Sequence, residues 1–126
     1  MPGEGNGGSM KDNKKYGRKA EALAARYLKQ QGMGIIAQNY RCKQGEIDLI
    51  GWEGDVLVFV EVKAREDDSC GYPGEALTSW KKRRICQTAR IYCCKEQVPA
   101  YMSIRFDVVE ILGNRIRHTK NAFEYC

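Results

Sequence analysis

Histidine is nearly absent: His118 is the only one in 126 residues, and it reads as a surface or packing residue. No Ser-His or Cys-His arrangement supports covalent catalysis by an activated nucleophile. The six cysteines, Cys42, Cys70, Cys86, Cys93, Cys94 and Cys126, include no C-x-x-C pair, which speaks against a structural zinc site. No secretory pattern is present, so these thiols are expected to be free in a reducing cytoplasm. No apolar run reaches the roughly 18 residues of a membrane span. Internal repeats are missing too, and the only low-complexity stretch is the opening MPGEGNGGS.

What is present points to one globular domain. A chain of this length buries about two-thirds of its unfolded surface. Lys plus Arg outnumber Asp plus Glu by 21 to 16, a net charge of +5. That excess suits a polyanionic partner, and solubility accounts for it equally well. Residues 1–12 read as a flexible glycine-rich tail and 13–126 as the domain.

The stretch GEIDLIGWEGDVLVFVEVKAR, Gly45 to Arg65, organises the rest. Val56 to Val62 is a strand covered on both faces, and the residues around Gly54 form a hairpin. Strand alternation puts Leu57, Phe59, Glu61 and Lys63 on one face. It likewise puts Glu46, Asp48 and Ile50 together, with Ile47 and Leu49 opposite. A two-residue Glu53-Gly54 loop would set Trp52 against Asp55, Asp48 against Phe59 and Glu46 against Glu61. All four charged groups then share one surface. Carboxylates crowded in this way repel unless a cation joins them. Lys63 neutralises only one, and the surplus oxygen charge suits a hard divalent ion, Mg²⁺ or Mn²⁺. A surface hairpin with ordinary salt bridges is the plainer reading of the same residues.

Before this stretch, a helix is expected from Asp12 or Asn13 to Gln31, stopped by Gly32. Its apolar stripe is Tyr16, Ala20, Leu23, Ala24, Tyr27 and Leu28, with Glu21 at the edge. Ile35 to Arg41 is an edge or second strand. After the acidic hairpin, EDDSCGYPG is a polar loop whose Glu66, Asp67 and Asp68 read as solvated. A second helix follows from about Glu75 or Thr78 to Glu96, with Leu77, Ile85, Ala89 and Tyr92 inward. Lys82, Arg83, Gln87 and Arg90 face outward and, with Lys14, Lys15, Arg18 and Lys19, offer a phosphate-binding face. Lys81 sits beside Ile85 on the stripe boundary, where it could point toward the site and contact a scissile strand. Ser103 to Leu112 and Arg115 to Lys120 form a closing hairpin through Gly113-Asn114, with Asp107 paired to Arg105 or a neighbouring strand. The order αβββαββ implies an α/β fold, a mixed sheet of about five strands flanked by helices.

Asp48 followed by Glu61-Val62-Lys63 resembles the D…(D/E)-x-K signature of restriction-endonuclease-like proteins. The wider text is more specific: Glu21-Ala22-Leu23-Ala24-Ala25-Arg26-Tyr27-Leu28, Asn39-Tyr40-Arg41, Gly45-Glu46-Ile47-Asp48-Leu49-Ile50, Phe59 to Arg65, and Arg105-Phe106-Asp107-Val108. From about Lys14 to Phe123 the chain resembles the YraN-like family, related to Holliday junction resolvases. The family usually has glycine where Ala20 precedes Glu21 here. The resemblance implies a restriction-endonuclease-like sheet and a metal-dependent endonuclease. Asp48 and Glu61 would hold Mg²⁺ or Mn²⁺, with Glu21 as a further ligand, Glu46 in support, and Lys63 acting on the attacking water or the transition state. Lys81, Lys82, Arg83, Arg90 and Arg65 would contact nucleic acid. DNA is implied ahead of RNA, with branched forms among the substrates, and a homodimer. The alternatives are a nucleic-acid-binding module with this fold and little or no catalysis, and a protein-interaction domain using Tyr72 and Trp80.

Overall fold

The computed structural model describes residues 18–65 and 77–125. Within them the chain runs α1 (residues 18–30), β1 (Gly34–Cys42), β2 (Gly45–Glu53), β3 (Val56–Arg65), α2 (Ser79–Lys95), β4 (Ser103–Leu112) and β5 (Arg115–Phe123). This is the αβββαββ order read from the sequence. The glycine-rich tail, the helix start at Asp12 or Asn13 with Tyr16, and the loop 66–74 with Tyr72 lie outside the described residues.

The strands form one mixed sheet in the order β1-β2-β3-β4-β5. Only the central pair β3–β4 is parallel, because α2 carries the chain back between them. Those two strands carry the longest unbroken buried runs, 57–61 and 106–112, as strands covered on both faces must. Their two coverings are distinct. Ala20, Ala24, Ala25 and Leu28 of α1 pack on Leu49, Val58, Val60 and Val109, while Ile85, Cys86, Ala89 and Tyr92 of α2 pack on Ile47, Ile50, Leu57 and Phe59. On the α2 side Phe59, Phe106 and Phe123 stack in a row with centroids 5.7 and 5.0 Å apart.

Both helix ends follow from local chemistry. Gly32 has φ 99°, and its N–H reaches the Lys29 carbonyl while that of Met33 reaches Leu28. This paired closure ends α1, and a left-handed residue there favours glycine. At the start of α2 the Thr78 hydroxyl accepts the Lys81 N–H at 3.1 Å, a side-chain cap. The α1 stripe is rotated from the expected one: Leu23 is 38% exposed and Ala25 is buried, since three alanines let the helix lie close to the sheet. Strand β5 runs to Phe123 rather than ending at Lys120.

The β2–β3 hairpin also differs. Glu53 pairs with Val56, Trp52 with Leu57 and Ile50 with Phe59, so Gly54-Asp55 forms the loop. Asp48 therefore does not oppose Phe59, and Glu46 does not oppose Glu61. The register moves by two residues, which leaves each β3 side chain on its expected face.

Candidate functional site

The β2–β3 ladder stops at Leu49↔Val60. Beyond it the Asp48 Oδ2 accepts the Val62 N–H at 2.8 Å, so a side chain fills the seam between the strands. An irregularity in β1 lies opposite. Asn39, at the register position facing Asp48, has φ 53°, a left-handed conformation that asparagine tolerates. Alternation breaks there: Ile47 joins Ile50 under α2, while Leu49 packs under α1. The expected grouping of Ile47 with Leu49, and of every carboxylate on a single surface, is corrected accordingly.

The seam is reached from both sides of the sheet. Carboxylate oxygens of Glu21 from α1 and of Glu46 and Asp48 from β2 lie within 4.8 Å of one another. From the α2 side comes Glu61, only 7% exposed, with the Lys81 ammonium at 3.1 Å and that of Lys63 at 3.7 Å. Glu61 is outside the three-carboxylate group. A cleft of about 230 Å³ opens here, lined by Glu46, Asp48, Glu61, Trp80, Lys81 and Arg84 among others.

Gly45 fixes where the acidic strand begins. Its φ is +155°, and a Cβ there would stand 3.1 Å from the Thr88 hydroxyl and 3.6 Å from the Arg84 Cβ. Only glycine lets β2 start this close beneath α2.

Charge is unevenly compensated. Burial, reinforced by the Glu61 and Glu21 carboxylates, pushes the Asp48 carboxyl up to about 8 against the Val62 hydrogen bond. Burial pulls the Lys81 ammonium down, but Glu61 overrides it and the net shift is upward. For Lys63 burial prevails, aided by the neighbouring Lys81, and the ammonium is held below its usual range. The donor set formed by Glu21, Glu46 and Asp48 is all oxygen and crowded with like charge, which fits a hard dication such as Mg²⁺ or Mn²⁺. Glu46 is also 3.5 Å from Arg41 across the β1–β2 pair.

The proposed nucleic-acid contacts divide. Lys81 is in the cleft. Arg83 is exposed but does not line the cleft, and Lys82 is half-buried with its ammonium 5.7 Å over the Phe123 ring, not facing outward. Arg90 lies about 13 Å further along the helix and donates to the Tyr125 hydroxyl at 3.4 Å, away from the cleft. The Arg65 side chain lies outside the described residues.

Arg84 joins the cleft without having stood out in the sequence, and so does Trp80, which the sequence offered only as a protein-contact residue. Their i,i+4 spacing, shared by Lys81 and Ile85, is the signal that could have found them. Away from the cleft, Asp107 pairs with Arg105 at 2.8 Å and with His118 at 2.7 Å, and of the two readings of His118 the structure favours packing, its side chain being only 5% exposed. Among the described residues Cys42, Cys86, Cys93 and Cys94 are free thiols, and no helix is long and apolar enough to cross a membrane.

A family model described as "Uncharacterised protein family UPF0102" matches residues 20–111. A UPF0102 protein from Lachnoclostridium phytofermentans is 49% identical over 113 residues, covering 89% of this chain and 96% of its own. One from Geotalea uraniireducens is 42% identical, covering 90% and 92%. One from Legionella pneumophila is 44% identical, covering 86% and 93%.

Proposed function

This chain belongs to the uncharacterised protein family UPF0102, the YraN-like family its motifs resemble, and we propose that it is a metal-dependent nuclease of the restriction-endonuclease-like superfamily. One observation carries the reading: Glu21, Glu46 and Asp48 converge within 4.8 Å at a seam whose cleft side is lined by Glu46, Asp48, Glu61 and Lys81, with Lys63 also on Glu61. Mg²⁺ or Mn²⁺ held by these oxygens supplies Lewis acidity toward a phosphodiester and the attacking water. The residues around it do the rest. Val62 orients the Asp48 carboxylate through its backbone N–H, and Glu61 holds two ammonium groups in place. Lys63 and Lys81 then offer positive charge where a phosphate accumulates negative charge in the transition state. DNA, including branched DNA, is the substrate the family resemblance favours, cut by a homodimer in the cytoplasm.

A second reading has its own observation. Glu61 is already flanked by two ammonium groups, which suits a module that binds phosphates without cutting. The test separates them. Linear, flapped and four-way DNA are incubated with wild type, Asp48→Ala and Lys63→Ala, with and without Mg²⁺ or Mn²⁺. Metal-dependent cleavage lost in both variants is the expected result. Salt-sensitive binding with no cleavage under any condition would overturn it in favour of the binding module.

A further inference from the structure

Trp80, in the first turn of α2, is 60% exposed, unusual for so large an apolar ring. The Arg84 guanidinium, one turn on, stands 4.9 Å from the ring centroid. Arg84 also donates to the Lys43 carbonyl at 3.5 Å, so the cation backing the indole is itself tied to the turn between β1 and β2. Both residues line the cleft that contains Asp48 and Glu61. Trp80 is followed by four basic residues in succession, Lys81, Lys82, Arg83 and Arg84. An exposed indole backed by a guanidinium in a basic setting suits a ligand that is both flat and anionic.

Nucleic acid has that chemistry, since every base has a π-face and every linkage a negative charge. The cleft is smaller than the roughly 300–1,000 Å³ of sites that enclose a small ligand. That size suits one part of a longer chain. In a continuous duplex each base is covered on both faces by its neighbours, so only an unpaired base can offer a face to Trp80.

We propose that Trp80, backed by Arg84, is a stacking platform for an unpaired nucleobase beside the phosphodiester that enters the cleft. The site thereby takes single-stranded or locally unpaired nucleic acid in preference to continuous duplex. The position of that phosphodiester rests on the nuclease reading, but stacking is testable without cleavage.

In EDTA, an oligothymidine of about twelve nucleotides, within the span of single-strand sites, is added to the full chain. Trp80 fluorescence is followed in a Trp52→Phe background, which removes the other of the two tryptophans. Quenching is expected. By anisotropy of the labelled strand, Trp80→Ala should bind about tenfold more weakly and Trp80→Phe nearly as well as wild type. Replacing the thymidines with abasic sites should weaken wild-type binding and abolish the difference between wild type and Trp80→Ala. Blunt duplex should bind Trp80→Ala and wild type alike. Unchanged affinity in Trp80→Ala, or an equal loss with intact strand, abasic strand and duplex, would overturn the platform. Stacking without metal-dependent cleavage removes the nuclease reading alone, and cleavage with an indifferent Trp80 removes the platform alone.

Discussion

The Asp48 carboxylate accepts the backbone N–H of Val62 at 2.8 Å, so a side chain stands where the β2 backbone would otherwise continue the ladder. Asp48→Asn keeps a carbonyl oxygen for that bond and replaces a carboxyl that, pushed up to about 8, must take up a proton to sit in the seam at neutral pH, a cost the neutral amide does not carry. Without metal at neutral pH, the variant should melt several degrees higher than wild type, at ~4 °C per kcal/mol relieved. With Mn²⁺ added, wild type should gain stability and Asp48→Asn should not. A lower melting point in EDTA, or Mn²⁺ protection that survives the substitution, counts against the carboxylate cluster.

Gly45 and Gly54 make a controlled pair. Both have positive φ, but a Cβ at Gly45 meets the Thr88 hydroxyl at 3.1 Å while nothing lies within 4 Å of one at Gly54. Gly54→Ala should cost about 1 kcal/mol from backbone strain alone. Gly45→Ala should cost about 2–3 kcal/mol and weaken Mn²⁺ binding, because Glu46 moves with the strand. Urea unfolding and calorimetric titration decide this. Equal costs, with Mn²⁺ affinity retained, would remove Gly45 from the account of the site.

Asp107 provides the pH dependence on the acid side. Burial pushes its carboxyl up, but His118, Arg105 and the Asn121 N–H prevail and hold it at about 2, below the usual 3.8. A depressed carboxyl stabilises the fold above its unfolded value, and that contribution disappears as the pH falls from about 4 to about 2. The shift corresponds to about 2 kcal/mol. Asp107→Asn should lose that much at pH 7 and show a flatter stability profile below pH 4, measured by urea midpoints. A wild-type profile already flat in that window would contradict the pairing.

Element ends are legible because particular residues announce them: Gly32 closes α1, Thr78 caps α2 and Gly113-Asn114 turns β4 into β5. Hairpin register is not, since Glu53-Gly54 and Gly54-Asp55 are equally plausible loops in the sequence. The difference moves Asp48's partner by two residues, which leaves Glu61 and Lys63 on the face that parity assigns them. The turning of Asp48 into the seam coincides with Asn39 opposite it adopting φ 53°, and a single asparagine in a strand does not disclose that. Leu23 misleads the α1 stripe because hydrophobicity alone cannot say that a row of alanines packs closer than a leucine does.

Lys81 has two neighbours with opposite demands. Its ammonium lies 3.1 Å from Glu61 and stays charged because that carboxylate raises its pKa against burial. In Lys81→Met, Glu61 keeps, among the described residues, the Lys63 ammonium at 3.7 Å, and more of its negative charge acts on the Asp48 seam. Mn²⁺ should then bind about threefold or more tightly, since at these separations one uncompensated charge is worth about 1 kcal/mol even when well screened. Nucleic acid should bind more weakly, with its logarithmic salt slope reduced by about one, as expected when one fewer phosphate is neutralised. The two changes must occur in a protein whose melting temperature in EDTA is close to wild type. Tighter metal binding with an unchanged salt slope would confine Lys81 to the electrostatics of Glu61. Weaker metal binding would instead make the Lys81–Glu61 pair part of what holds the cleft in shape, because only a cleft that collapses loses metal on gaining negative charge.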